Sequence, residues 1–406
     1  NQLKLLFGND IKLKAIKENL IDKILKIKQK KNMPFFSIPN EAAGESYRKK
    51  ISLLSNYLSR KKADYIYLSA PENIAWLLNI RGSDTPYSPL PNSNLILSKD
   101  KKIYLITEKY KTRKLILEKK LFSHQIVEKE SFENFIKGLN GKRIIVDNKT
   151  LSVYKENIIR SKFLIISRND PCYFYKSIKN TKEIKNMVQT HIKDGVALTK
   201  FIYWIKNLKK RTITELEAEK KLEKLRKKNK NYLYPSFNTI AGTGSNGAIV
   251  HYRATKESNK IIKKNHLFLC DSGGQYKYGT TDVTRTICFA NQSQNIKNIF
   301  TKVLKGHIAV ATTNINKDNT GKKIDKRARK YLQESNLDYA HGTGHGVGFF
   351  LNVHEGPQAI SKINTVKLKE GMVLSNEPGF YKKNKFGIRI ENLVYVKKEK
   401  KKIFFK

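Results

Sequence analysis

The stretch Tyr339-Ala-His-Gly-Thr-Gly-His-Gly-Val-Gly348 constrains this chain more than any other. His341, His345 and His354 fall within fourteen residues of a sequence that has eight histidines in all. Glycines alternate around the first two, so the backbone there can approach a ligand without Cβ obstruction. Asp271 and Asp282 lie upstream, and Glu377 and Glu391 downstream. Four carboxylates and an imidazole gathered in one cleft could not all stay ionised without compensating cations. The pattern therefore predicts a metal site, with two ions.

The chain has 406 residues and a formal charge of +46. That length exceeds what one hydrophobic core usually serves, so two or more domains are expected. Such charge invites a nucleic-acid reading. Lysine is spread over nearly the whole length, however, with Asn and Ile also abundant, which reads as compositional bias rather than a binding stripe. Cys172, Cys270 and Cys288 are too few and too scattered for a disulfide framework or a thiolate zinc site, and read as fillers in a reducing compartment. No apolar run reaches transmembrane length; Phe201-Ile-Tyr-Trp-Ile205 is short and flanked by lysines. The chain starts at Asn1 in mid-pattern, and further sequence upstream is expected.

Apolar spacing predicts a helix in residues 1–33, with Leu20, Ile21, Ile24, Leu25 and Ile27 on one side, and another over 46–58. Strands are expected at 64–69, at 95–98 and 102–107 as a hairpin, and at 143–147. Strands alternating with helices over about 35–165 give a compact α/β domain. Residues 171–177 read as a connection. Asn180-Thr-Lys-Glu183 is a capping box opening a long helix with Ile184, Met187, Val188, His191, Leu198, Phe201, Ile202 and Ile205 at its apolar positions. Thr214-Glu-Leu-Glu217 repeats that logic, and a further helix is expected near 295–312.

Leu267-Phe-Leu-Cys-Asp271 reads as a strand ending at a carboxylate, and 280–287 as its return, carrying Asp282. Turn chemistry is an adequate alternative for Asp271, but a poor one for an Asp inside a strand. His341 and His345 have the separation of a helical metal pair. Gly342-Thr-Gly344 denies a stable helix and supplies no central Glu, so the zincin pattern does not apply. Single histidines are better read as structural, which covers His124, His191, His266 and His307. Glu377 precedes a proline that holds it at the rim of a turn. Residues 387–396 read as one strand by alternation, placing Arg389 and Glu391 on the same face. A donor set of four carboxylates and one His suits Mn²⁺, with Co²⁺ or Zn²⁺ admissible. Two-metal sites hold ions about 3.5–4 Å apart, and the expected chemistry is acyl-bond hydrolysis.

These segments resemble the metallopeptidase family with the pita-bread fold, which includes methionine aminopeptidase, prolidase, creatinase and aminopeptidase P. The likeness is strongest to the long, cytosolic type of aminopeptidase P. It is carried by 234–240, by 247–252 with His251, by 271–286, by 341–357, and by 377–381 with 387–392. It extends upstream through Ile74-Ala-Trp-Leu-Leu-Asn-Ile-Arg-Gly-Ser-Asp84. The resemblance implies an α/β (α+β) chain in which residues 1–33 are a linker helix ending a missing N-terminal domain. Residues 34–170 would form a creatinase-like non-catalytic domain, and 171–406 a pita-bread catalytic domain shortened at its C-terminus. It further implies that Asp282 and Glu391 bridge two divalent ions, that Asp271 ligates one ion, and that His345 and Glu377 ligate the other. Glu377 would double as general base, His251 would bind substrate and pass protons, and His354 would hydrogen-bond the scissile carbonyl. His341, Tyr381 and Arg389 would line or brace the site.

The implied activity is removal of the N-terminal residue from peptides with proline second, in the cytoplasm, with no nucleic-acid or membrane partner and with a homodimer left open. Three rivals stand beside it, one of them the basic nucleic-acid binder that the charge invites. A prolidase would require an Xaa-Pro dipeptide, and a non-catalytic pita-bread protein would act as a binding module; fold alone separates none of these.

Overall fold

The computed structural model describes residues 7, 11, 12, 14, 16, 20–24, 33–208 and 212–406. Of the helix expected in the first 33 residues, Leu20–Ile24 is helical, and Leu25 and Ile27 lie outside the described residues. The chain divides into two compact units. One comprises Asn1–Ser37, Tyr47–Asp84 and Leu90–Pro171; the other comprises Ile38–Ser46, Thr85–Pro89 and Cys172–Lys406. Among the described residues no helix is long and apolar enough to cross a membrane. All three cysteines are free.

The first unit is built on a six-stranded sheet in the order Ile126–Val127, Ile103–Ile106, Asn94–Ser98, Tyr65–Leu68, Arg143–Val146, Leu164–Ser167. Asn94–Ser98 and Ile103–Ile106 form the expected antiparallel hairpin, whereas Tyr65–Leu68 runs parallel to Arg143–Val146. Leu95, Ile96 and Leu97 are all fully buried, so this strand is covered on both faces, which is why it reads as a continuous apolar run. The helix Tyr47–Arg60 buries Ile51, Leu54 and Leu58 at helical spacing.

In the second unit, Asn180 caps the helix Thr181–Lys206 by accepting from the backbone N–H of Lys182 and Glu183, while Glu183 returns a bond to the Asn180 N–H. Thr214 and Glu217 make the same reciprocal pair ahead of Glu215–Arg226. The two helices bury Leu198, Phe201, Ile205, Ala218 and Leu222 against Phe268, Cys270, Val283 and Ile287 of a three-stranded antiparallel sheet. Val188, expected on the buried stripe, is 39% exposed. A five-stranded sheet follows in the order Glu355–Ile360, Gly344–Gly346, Val373–Asn376, Asn392–Glu399, Lys402–Phe405. The helices Gln294–Ala311 and Gly321–Gln333 pack with it through Val310, Ile324 and Ala328.

Three expectations are corrected. The connection at 171–177 contains a short helix, Cys172–Ser177. Asp282 lies just before the strand Val283–Ile287, not inside it. The single strand expected over 387–396 breaks at Ile390-Glu391: Phe386–Arg389 pairs with Gly379–Lys382, and Asn392–Glu399 joins the five-stranded sheet.

Candidate metal centre

Strand register sets the centre. Asp271 pairs with Thr284 and Ser272 with Val283, so Asp282 enters at the edge of that pair. The Thr284 hydroxyl donates to Glu391 Oε2 at 2.6 Å, and Arg389 Nε donates to Thr284 Oγ1 at 3.2 Å. The break in the expected strand therefore holds Arg389 and Glu391 on one hydroxyl. His345 arrives on Gly344–Gly346, a strand whose neighbours leave no room for a Cβ at either glycine. A Cβ on Gly344 would lie 1.9 Å from the Ser375 carbonyl oxygen, and one on Gly346 would lie 2.4 Å from that of Glu355. The alternating glycines are thus a packing requirement of the strand that carries the imidazole.

His345 Nδ1 lies 2.9 Å from the Gly346 carbonyl, which fixes the proton there and leaves Nε2 facing acidic oxygens. Asp282 Oδ2 is 3.4 Å away and Glu377 Oε1 3.3 Å away. Three acceptors facing one another need a proton or a cation between them. Ligand atoms of Asp282, His345 and Glu391 all fall within 4.8 Å of one another. Arg389 Nη2 donates to Asp271 Oδ2 at 2.6 Å, while Asp271 Oδ1 and Glu391 Oε1 are buried without a hydrogen-bond partner. Unsatisfied buried carboxylate oxygens are costly, and a cation satisfies them.

The electrostatics agree. Burial first, then the charges of Asp271 and Glu377, push the Asp282 carboxyl well above its usual range. Burial, then Asp282, Glu377 and Asp271, do the same to Glu391. Burial raises Glu377 too, with His345 and Arg389 pulling the other way. Divalent cations would reverse these shifts, so the donor set fits two such ions. Burial lowers His341 and His354 to about 4, leaving both imidazoles neutral near pH 7. His354 packs at a tilt against His345, with ring centroids 4.0 Å apart and planes 59° apart. Arg389 Nη1 donates to the Tyr381 hydroxyl at 2.6 Å, and that hydroxyl lies 2.8 Å from His341 Nε2.

Asp271, Asp282, His341, His345, His354, Glu377, Arg389, Glu391 and His251 all line one cavity of about 530 Å³. Tyr381 stands behind it, against His341 and Arg389. Every nominated residue is therefore brought to one place. His191 and His307 lie elsewhere, bonded to the Met187 and Asn376 carbonyls respectively.

Three supporting groups escaped sequence reasoning. Asp194 forms a buried two-bond pair with Arg226, which also donates to the Ser272 and Gly273 carbonyls beside Asp271. Its signal was an acid on the apolar stripe of a helix. Arg329 binds Asp325 and the carbonyls of Tyr339 and His341, while Asp325 accepts from Thr343. The Thr343 carbonyl in turn accepts from the Glu377 N–H. Glu215, fully buried, accepts from the Thr243 and Lys260 N–H, Asn246 and Tyr252, and so anchors the segment bearing His251. In sequence it is hidden inside a helix-capping motif.

Comparison with known proteins adds independent findings. The profile of metallopeptidase family M24 matches residues 185–398, and that of the Creatinase/Prolidase N-terminal domain matches 27–183. A protein of Laccaria bicolor named probable Xaa-Pro aminopeptidase P is 38% identical over 96% of this chain, which spans 62% of that relative. A solved structure from Caenorhabditis elegans is described as an X-prolyl aminopeptidase, a cytosolic enzyme with a di-nuclear active site. It superposes with a TM-score of 0.87 at 32% identity, covering 96% of this chain and 66% of that one. The chain thus spans less than two thirds of either relative. Prolidase from Pyrococcus furiosus shares the fold, with a TM-score of 0.68 at 24% identity over 86% of this chain and 98% of that one.

Proposed function

The chain belongs to metallopeptidase family M24, and from that premise we propose that it is a dinuclear exopeptidase removing the N-terminal residue of peptides whose second residue is proline. The observation that carries this reading is the meeting of His345 Nε2 with Asp282 and Glu377, beside the unpartnered oxygens of Asp271 and Glu391. The likeness to an X-prolyl aminopeptidase with a di-nuclear site supports the substrate class. Asp271, Asp282, His345, Glu377 and Glu391 would together hold the two ions. Hard oxygen donors favour Mn²⁺, with Co²⁺ or Zn²⁺ admissible. Bound ions supply a water of lowered pKa and polarise the scissile carbonyl.

The protein's own groups do the rest. Glu377 accepts a proton and returns it to the leaving proline nitrogen, which bears no hydrogen in the substrate; such acid–base help is worth about 10²–10⁴-fold. Neutral His354 donates to the carbonyl oxygen, and His251 binds substrate and passes protons. Arg389 and Tyr381 brace Asp271 and His341. We assign catalysis to residues 171–406 and a non-catalytic role to 34–170, with 1–33 a linker. We place the protein in the cytoplasm, acting on free peptides without nucleic-acid or membrane partners, as a monomer or homodimer. The test is release of the first residue from an Xaa-Pro-Yaa tripeptide with added Mn²⁺ and Asp282→Ala as control. Cleavage of Xaa-Pro dipeptides alone would instead favour a dipeptidase, and absence of both metal and hydrolysis would favour a binding module.

A further inference from the structure

Residues Thr85–Pro89 interrupt the first unit in sequence but belong by contact to the second. Ser88 N–H donates to the Thr85 carbonyl at 3.4 Å, closing a four-residue turn. Pro86 followed by a residue at positive φ is the pattern of a type II turn, whose third position ordinarily takes glycine or asparagine. Tyr87 occupies that position at φ 64°. A bulky side chain is strained there, and such outliers cluster where the side chain serves a ligand.

The strained residue makes two long-range bonds. Its hydroxyl donates to Asn238 Oδ1 at 2.5 Å, and its carbonyl accepts from Gln275 Nε2 at 3.0 Å. Gln275 is fully buried and its Nε2 also donates to the Leu351 carbonyl at 2.7 Å, while its Oε1 accepts from Thr280 Oγ1 at 2.9 Å. One amide thus clamps the turn and the segment leading to His354. Asn238 itself is part of the metal cavity wall, with Phe237, Val353 and His354. A wall amide free to turn offers a donor or an acceptor indifferently. With Oδ1 engaged by Tyr87, Asn238 presents Nδ2 as a donor of fixed direction.

We propose that Tyr87 is a substrate-positioning residue: through Asn238 it holds an amide donor ready for a backbone carbonyl of the bound peptide. The inference rests on the peptidase reading of the cavity. Preorganising the donor lowers the ordering cost of binding without touching the reacting atoms. Tyr87→Phe should therefore raise KM for Xaa-Pro-Yaa tripeptides about three- to tenfold, the effect of one neutral hydrogen bond, with kcat within about twofold. Tyr87→Phe combined with Asn238→Ala should be no worse than Asn238→Ala alone, because the two act in series. Tyr87→Gly should melt no lower than the parent, since glycine relieves the turn, yet show the same rise in KM.

Calorimetric binding of a tripeptide analogue with a reduced scissile bond keeps this inference apart from the reading beneath it. A parent that binds the analogue but cleaves nothing, with Tyr87→Phe binding more weakly, defeats the peptidase assignment and sustains the role of Tyr87. A parent that cleaves, with Tyr87→Phe unchanged in both KM and analogue affinity, overturns the inference.

Discussion

Replacing Asp282 with asparagine should stabilise the protein when it is stripped of metal. Asp282 and Glu391 present carboxylate oxygens within 4.8 Å of each other, and both are nearly inaccessible to water. At an effective dielectric constant of about 20, two unit charges at that separation repel by about 3 kcal/mol. Asn keeps the shape and removes one charge. For a unit of about 250 residues, that gain corresponds to a rise of about 6–12 °C in melting temperature. The sign with pH follows from the raised carboxyls of Asp282, Glu377 and Glu391. Groups raised in the folded state favour folding while protonated, and that stability is lost as pH rises through their folded pKa values. The advantage of the variant should thus be widest near pH 8 and narrow towards pH 5. Mn²⁺ at a thousandfold its Kd should invert the order, since it adds about 4.1 kcal/mol to the parent, more than the repulsion it has to overcome. Scanning calorimetry of chelated and Mn²⁺-loaded protein reads both comparisons. A chelated variant no more stable than its parent at pH 8, or a gap that widens towards pH 5, would refute the reasoning.

Arg329→Met should cost about 3–5 kcal/mol in urea denaturation, because it strands Asp325, which is 1% exposed, without its cation. His341 and His354 should stay neutral down to about pH 4 in imidazole NMR titrations of the metal-free protein; both are lowered by burial, so the stability they lend is present above the ordinary value of 6.5 and is lost as pH falls through about 4. Asn180→Ala should cost about 1 kcal/mol by removing the cap of the longest helix, read as a lower denaturation midpoint with unchanged metal content.

Local pattern carried a good share of the fold. The helices after Asn180 and Thr214, the hairpin at 94–106 and the strand ending near Asp271 all follow from capping residues and period, which act over a few positions. What escaped depends on partners far apart in the chain. Glu391 marks a seam between two sheets, but alternation alone runs straight through it. The inward turn of Glu215 is invisible because a neighbouring Glu217 fully explains the motif. Residue type and clustering nominated Asp271, Asp282, His345, Glu377 and Glu391, and family likeness implied their separate roles, but spacing alone does not show how they converge; the strand registers bring them together. Nothing in Thr85–Pro89 hinted at a place beside them, since its bonds run to residues more than a hundred and fifty positions away.

The proposed ligands hang on different pieces of scaffold: Asp271 on the three-stranded sheet, His345 on the five-stranded one, and Glu391 where the chain crosses from the hairpin to the latter. A cation gripped by both Asp271 and Glu391 ties off a loop of about 120 residues, in the manner of a reversible covalent staple. Divalent supply would then govern mechanical cohesion along with turnover, and starvation for metal would expose this region to proteolytic clearance before the rest of the polypeptide yields.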